Sequence, residues 1–535
     1  MVNPSGFFLM EFLKSFARLL DGIFRDQRLC ESGQIDWRKC WFFLPILTPF
    51  LCLIFGPQYL DDAFITFRVS RNLVDFGVPY YNVGEVAQAS TTPLYSLLLA
   101  AGYALTGFAP HLVENALQIP LLTATIILLS LISLRIDKIR PYWWLAGFFF
   151  SIQPILIVQV KGMEAYLYGA LILLAVYAEL KRAPLLLGIA LGLCAVTRTE
   201  GALFGLCYVV CWLIQRFWFA EKRPVRELWL ATGTGILTGL PFLAYVIWFF
   251  GDPIPTSVRG KAHQAGFVAL EHFDRTMQYY LVGQYPTFNI WFIPLTAFVG
   301  LVMGKIVVNR DAKGWENYGF LSLSCYGLMG LFFLANAPAF SWYLYPSIVL
   351  FTLIYAHCFV LFAEHLRVFF TIKEPSKKVR TVYVLPMMVI ILYAFTLRGM
   401  GNAILLNYVR TGDYAFMSDV RYGEIARELW QDKPDQSLSL GAPEIGHLGY
   451  FTAYRIIDFS ALASPELIED AGRISYYEMA LKHQPDFIVI PEDLAVFENN
   501  PALREQFSAA YPRSKVYDAA HLGERTVYWR AKIRD

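Results

Sequence analysis

Apolar runs long enough to cross a bilayer recur through the first 400 residues of this chain, and they constrain its fold more than any other feature. A spanning helix needs about 20 mostly apolar residues. Eleven runs reach or approach that length: 41–57, 112–134, 142–160, 163–180, 184–197, 200–217, 228–250, 288–307, 316–335, 343–363 and 381–397. The chain is 56% hydrophobic and 16% charged, where soluble domains average about 45–50% apolar and about 25% charged. With a net charge of +2 there is no basic footprint, and no nucleic-acid partner is expected. The fold class that follows is a polytopic α-helical membrane protein with membrane lipid as a partner.

Lys and Arg orient the helices, because cytoplasmic loops carry the excess. The head carries Lys14, Arg18, Arg25, Arg28, Arg38 and Lys39. Alternate connections repeat the pattern, at 135–140, 181–182, 222–226, 305–313 and 367–380. Residues 1–40 are therefore expected in the cytoplasm, 41–398 in the membrane with an outer loop at 58–111, and 399–535 outside. The apolar stretch 92–107 breaks this alternation if it spans. It reads instead as an interfacial helix, opened by Pro93 and ended by Gly107. The tail is more polar. Its runs SLSLGAP, RIIDFS, DFIVIPED and VYWRAKI look like strands, and VRYGEIARELW between them like a helix, so a small α/β domain is expected.

The unusual charges collect in the outer segments. The first holds Asp61, Asp62, Arg68 and Arg71; if helical, Asp61 and Arg68 share a face. Later segments bring Lys161 and Glu164, then Arg198 and Glu200, then Arg259, Lys261 and His263, then the aromatic run SWYLYP at 341–346 with Tyr343 and Tyr345. Each has a plainer reading. Asp62 fits an N-cap. Glu164 and Glu200 fit helix starts that favour acidic charge. Lys161 and Arg198 fit side chains that snorkel to headgroups, and Trp342 and Tyr343 fit interface anchors. Charge in four outer segments, with an aromatic run in a fifth, is harder to explain by all of these at once.

Several strings resemble the GT-C superfamily of membrane glycosyltransferases. DDAFITFRVSRNL at 61–73, with TTPLYSLLLAAGYALTG after it, resembles the first external loop of these enzymes. GMEAYLYGALILL at 162–174 resembles their GMET-type turn, and TRTEG at 197–201 their TRPEG, with Thr199 where Pro is usual. YVIWFFGDPIPTSVRGK at 245–261 resembles a YG-x-PLPNTFYAK element without its Asn. GAPEIGHLGYFTAYRIIDFSALASPE at 441–466 resembles the external domain of arabinofuranosyltransferases.

The resemblance implies an inverting glycosyltransferase that uses a polyprenyl-phosphate sugar donor and a glycan, lipid or protein acceptor, in a bacterial inner membrane. It implies Asp61 as the general base, with Asp62 and Glu164 beside it. Arg68, Arg198 and Lys261 would hold the donor phosphate. Lys161, Glu200, Tyr343 and Tyr345 would position substrate. The 92–107 helix and the 341–346 run would border the lipid groove. No cofactor is certain; a divalent cation would find oxygen ligands in Asp61, Asp62 and Glu164. A pentofuranose is the first expectation for the sugar and a hexose the second. The rival classes are a transporter or flippase, which calls for midplane charges and internal repeats, and a sensor with an external ligand-binding domain.

Overall fold

The computed structural model describes residues 59–136, 160–219, 223–265, most of 300–334, parts of 343–350, 418–518 except 492, and 524–533. The runs at 41–57, 142–159, 288–299 and 381–397 lie outside the described residues.

Two short helices lead in. α1 (Asp61–Phe76) starts at N-cap Leu60 with no side-chain cap and stops at Gly77, in the left-handed region at φ 72°. The cap reading of Asp62 therefore fails; both carboxylates sit in the first turn, where they complement the helix dipole. α2 (Pro93–Thr106) opens on Pro93 and ends at Gly107, as its sequence predicts. The apolar helices follow: α3 (Pro110–Arg135), α4 (Ala165–Leu180), α5 (Pro184–Thr197), α6 (Ala202–Phe217), α7 (Val225–Phe250) and α9 (Ala312–Leu334), with the short helix α8 (Thr256–Ala265) after α7. Among the described residues, three helices are long and apolar enough to cross a membrane: Pro110–Leu129, Thr199–Phe217 and Val225–Phe250.

α5 and α7 meet backbone to backbone. A Cβ at Gly188 would lie 2.4 Å from the Ala231 carbonyl, and one at Gly192 2.5 Å from that of Gly235. Small residues four apart on facing helices permit this approach where no hydrophobic effect drives association. At the far ends of α4, α6 and α7, Arg223 is buried and bonds to Glu179, Gln215 and Glu227. This basic residue, counted above toward orientation, is one side of an internal clamp.

The tail is a five-stranded sheet of order β2-β1-β3-β5-β4: β1 (Ser439–Ala442), β2 (Arg455–Asp458), β3 (Phe487–Pro491), β4 (Arg513–Asp518) and β5 (Glu524–Trp529). β1 runs parallel to β2 and β3, and β5 antiparallel to β3 and β4. Sequence reading finds every strand but β4, whose RSKVYD alternates without an apolar face. One face packs on α12 (Tyr476–His483) and α14 (Pro501–Ala510), which follows α13 (Leu494–Asn499), through Ile457, Ile488, Ile490, Tyr477 and Phe507. The other packs on α10 (Ser418–Asp432) and α11 (Gly446–Phe451), and its core is shared: Ile65 and Val69 of α1 pack in it with Leu440, Ile456 and Phe487. The tail thus has one core of its own and a second that it shares with α1.

Candidate active site

α1 is held by the tail through side chains that the motifs offered as catalytic. Asp61 is 5% exposed. Its Oδ2 accepts from the Gly446 amide at 2.6 Å and its Oδ1 from the His447 amide at 2.7 Å. The His447 Nδ1 lies 2.8 Å from the same Oδ1, and the imidazole packs on Phe64 with centroids 4.1 Å apart. Gly446 is required here, because a Cβ would fall 1.8 Å from the Asp61 carbonyl oxygen. Asp61 is thus bound by the tail, each of its carboxylate oxygens accepting a backbone N–H of α11.

Arg68 is bound by the tail as well. Its Nη1 donates to Gly449 O at 2.7 Å and its Nη2 to Tyr454 O at 3.1 Å, and the guanidinium lies 4.5 Å from the Tyr81 ring. These carbonyls take up two of its five N–H donors. Tyr81 donates to Ile445 O at 2.6 Å. The Asn82 side chain bonds both the N–H and the C=O of Ile456 on edge strand β2, taking up backbone groups that an edge otherwise exposes.

Asp62 is half-buried and lies near Asp458, whose carboxyl it helps to push up. Burial is the larger cause; it raises the Asp458 pKa to about 7 against three backbone N–H donors, from Ser460, Leu462 and Ala463. That loop touches α8: a Cβ at Gly260 would stand 2.6 Å from Ala461 O. Arg259 on α8 is paired with Asp252. The side chains of Lys261 and His263 lie outside the described residues.

A second cluster stands where α4, α5 and α6 meet. Arg198 bridges two carboxylates, Nη1 to Glu164 and Nε to Glu200. Glu164 is 1% exposed. The guanidinium lies 4.6 Å from the Tyr343 ring, so this member of the aromatic run joins the cluster. The Nη2 edge of Arg198 makes no hydrogen bond among the described residues. Tyr345 is fully buried against Tyr166 and Gly169. Lys161 also turns inward, its Nζ 5.0 Å from the Tyr59 ring. Burial lowers its pKa, and the nearby Glu114 opposes the fall. Glu114, a lone carboxylate near the start of an apolar run, was not among the sequence candidates.

Beside Arg198 opens an apolar cavity of about 590 Å³ between α5, α6 and α7. Gly192, Ala195, Gly205, Gly235 and Leu243 line its walls, and Gln88, Thr91, Thr199 and Pro255 stand at its polar end. Of the two elements expected to border a lipid groove, α2 contributes Pro93 to the lining, and the described members of the second, Tyr343, Tyr345 and Pro346, do not. No group of three His, Cys, Asp or Glu side chains comes together as metal ligands among the described residues. With Asp61 bound to the tail and Glu164 to Arg198, the three proposed oxygen ligands do not fit one cation.

These helices and this sheet define a polytopic membrane protein with a C-terminal α/β region. No family model matches the sequence, and neither does any curated protein. Among solved structures the chain is similar to ArnT from Cupriavidus metallidurans bound to undecaprenyl phosphate, with a TM-score of 0.54 and 12% identity over 93% of this chain and 98% of that one. It is similar to the apo state of the same protein at a TM-score of 0.52, again 12% identical, over 92% and 98%. At this identity the likeness defines the fold alone.

Proposed function

We propose that the chain is a glycosyltransferase that moves a sugar from a polyprenyl-phosphate donor to a hydroxyl of a glycan, lipid or protein, on the non-cytoplasmic side and with inversion. The observation that carries this reading is the apolar cavity between α5, α6 and α7, whose lining includes Thr199, between Arg198 and Glu200 of the charged cluster in sequence. An isoprenoid chain needs a dry, membrane-level channel, and its phosphate needs cations at the polar end. The solved structure with undecaprenyl phosphate supports the same class of donor. Arg198 offers its Nη2 edge to the phosphate, and Lys261 on α8 is the second cation in this assignment.

The two first-turn carboxylates divide the work in this reading. Asp61 anchors the tail. Asp62, half-buried beside it, takes the acceptor proton as the sugar carbon is attacked from the face opposite the departing phosphate. Glu164 and Glu200 hold Arg198 and bound the sugar pocket.

The test is direct. Purified protein in nanodiscs is given polyprenyl-phosphate pentoses and hexoses, with nucleotide sugars as the comparison, and products are read by mass spectrometry with envelope glycans as acceptors. Release of polyprenyl phosphate with glycosylated acceptor is expected. Turnover of nucleotide sugars alone would overturn the reading.

A further inference from the structure

Behind the turn that carries Lys161 and Glu164 lies a carboxylate the proposed chemistry does not use. Glu114 is fully buried one turn into α3. Its Oε1 accepts from the Gly162 amide at 2.9 Å and from the Tyr95 hydroxyl at 3.4 Å. Among the described residues its Oε2 has no hydrogen-bond partner, and neither amide atom of Gln118, one helical turn on, has one. A buried carboxylate with an orphan oxygen is a poor device for stability, since apolar side chains of like size hold such a position as well or better. Ionisable groups kept at membrane depth generally serve a site.

The geometry says which one. Gly162 stands at φ 89°, a conformation other residues rarely take, and a Cβ there would meet Ala63 of α1 at 2.6 Å and Tyr59 at 2.9 Å. The turn is therefore wedged against α1, and Glu114 fixes the peptide plane at the wedge. Two residues on, Glu164 meets Arg198. The turn that carries Glu164 of the Arg198 cluster is thus held against α1 in part through this amide.

We propose that Glu114 is a positioning residue for the transfer reaction, holding the Lys161–Glu164 turn against α1 through the Gly162 amide; this rests on the function proposed above. A misplacement of about 1 Å can cost 10²-fold in rate. Three variants of the full-length protein test it: Glu114→Ala, Glu114→Gln and Gly162→Ala. Turnover, donor KM, melting temperature and hydrogen exchange of segment 160–164 are read for each. Glu114→Ala should speed exchange in that segment and lower kcat by about 100-fold, with donor KM within about threefold; loss of the acceptor for the Gly162 N–H should also lower the melting temperature. Glu114→Gln keeps an acceptor for the Gly162 N–H and should restore both protection and at least a tenth of the turnover. Gly162→Ala displaces the turn without touching Glu114, and should reproduce the kcat loss even if Glu114→Ala does not fold.

Normal kcat in Glu114→Ala or Gly162→Ala with a loosened turn overturns the proposal. So does a Glu114→Gln variant that is protected yet as inactive as Glu114→Ala. If wild type fails to use lipid-phosphate sugars, the function proposal falls, while the exchange data still decide whether Glu114 clamps the turn.

Discussion

Asp61 and Asp62 are adjacent in sequence and unlike in structure. Asp61 receives two backbone N–H groups from α11, whereas Asp62 is half-buried beside Asp458. An amide at either position keeps the size and cannot accept a proton at neutral pH. Asp62→Asn should lower turnover by about 10²–10⁴-fold with an unchanged melting temperature. Asp61→Asn should lower both, because the amide nitrogen would face donors at Gly446 or His447 and leave one unpaired, at about 1–3 kcal/mol. Transfer and melting measured side by side decide the assignment: a stable, inactive Asp61→Asn with an active Asp62→Asn would return the base to Asp61.

Asp458 supplies a pH test at the same scale. Its folded pKa of about 7 lies above the ordinary carboxyl value of 3.8, so the native state holds its proton more tightly. The resulting stability is full below about pH 4 and is lost as pH rises through about 7. Wild type should lose melting temperature over that window relative to Asp458→Asn; parallel curves would refute the shift.

Among the elements, α5, α6 and α7 make both the scaffold and the cavity. The glycines that let α5 reach α7 also leave the space between them unfilled. Gly205 on α6 lines that space and has no heavy atom within 4 Å of an added Cβ. Gly205→Phe should therefore fold, with a gain of about 0.5–1 kcal/mol from replacing a helical glycine. Filling the channel should raise donor KM at least tenfold. Unchanged donor KM in a stable variant would remove the isoprenoid from this cavity. The elements themselves were legible, since helical runs, Pro93 and Gly107 at the ends of α2, and four strands of the tail follow from local pattern. β4 was not, because RSKVYD lies at the sheet edge with no apolar face to announce it.

For the whole molecule, the proposed topology has the tail outside the cell membrane, docked on the outer loop, and the basic connections inside. A cysteine at exposed Arg473 should react with an impermeant thiol reagent in intact cells, and one at Lys377 only after permeabilisation. The reverse pattern would overturn the orientation.

What the sequence determined by itself is what depends on neighbours along the chain. Apolar runs of about 20 residues specify membrane helices, alternation and turn residues specify the tail strands, and the DD, GME and TRTEG strings mark where charge gathers. What each charge does was decided by tertiary structure. Asp61 meets its donors 385 residues away, and Arg68 its carbonyl 381 away. Glu114 meets Gly162 across 48 residues. No local pattern encodes such pairings, because a carboxylate or guanidinium binds whichever groups packing brings within about 3 Å. In sequence, Asp61 and Asp62 are the same residue type with the same neighbours. The burial of one against the Gly446 and His447 amides is a property of the packed molecule alone.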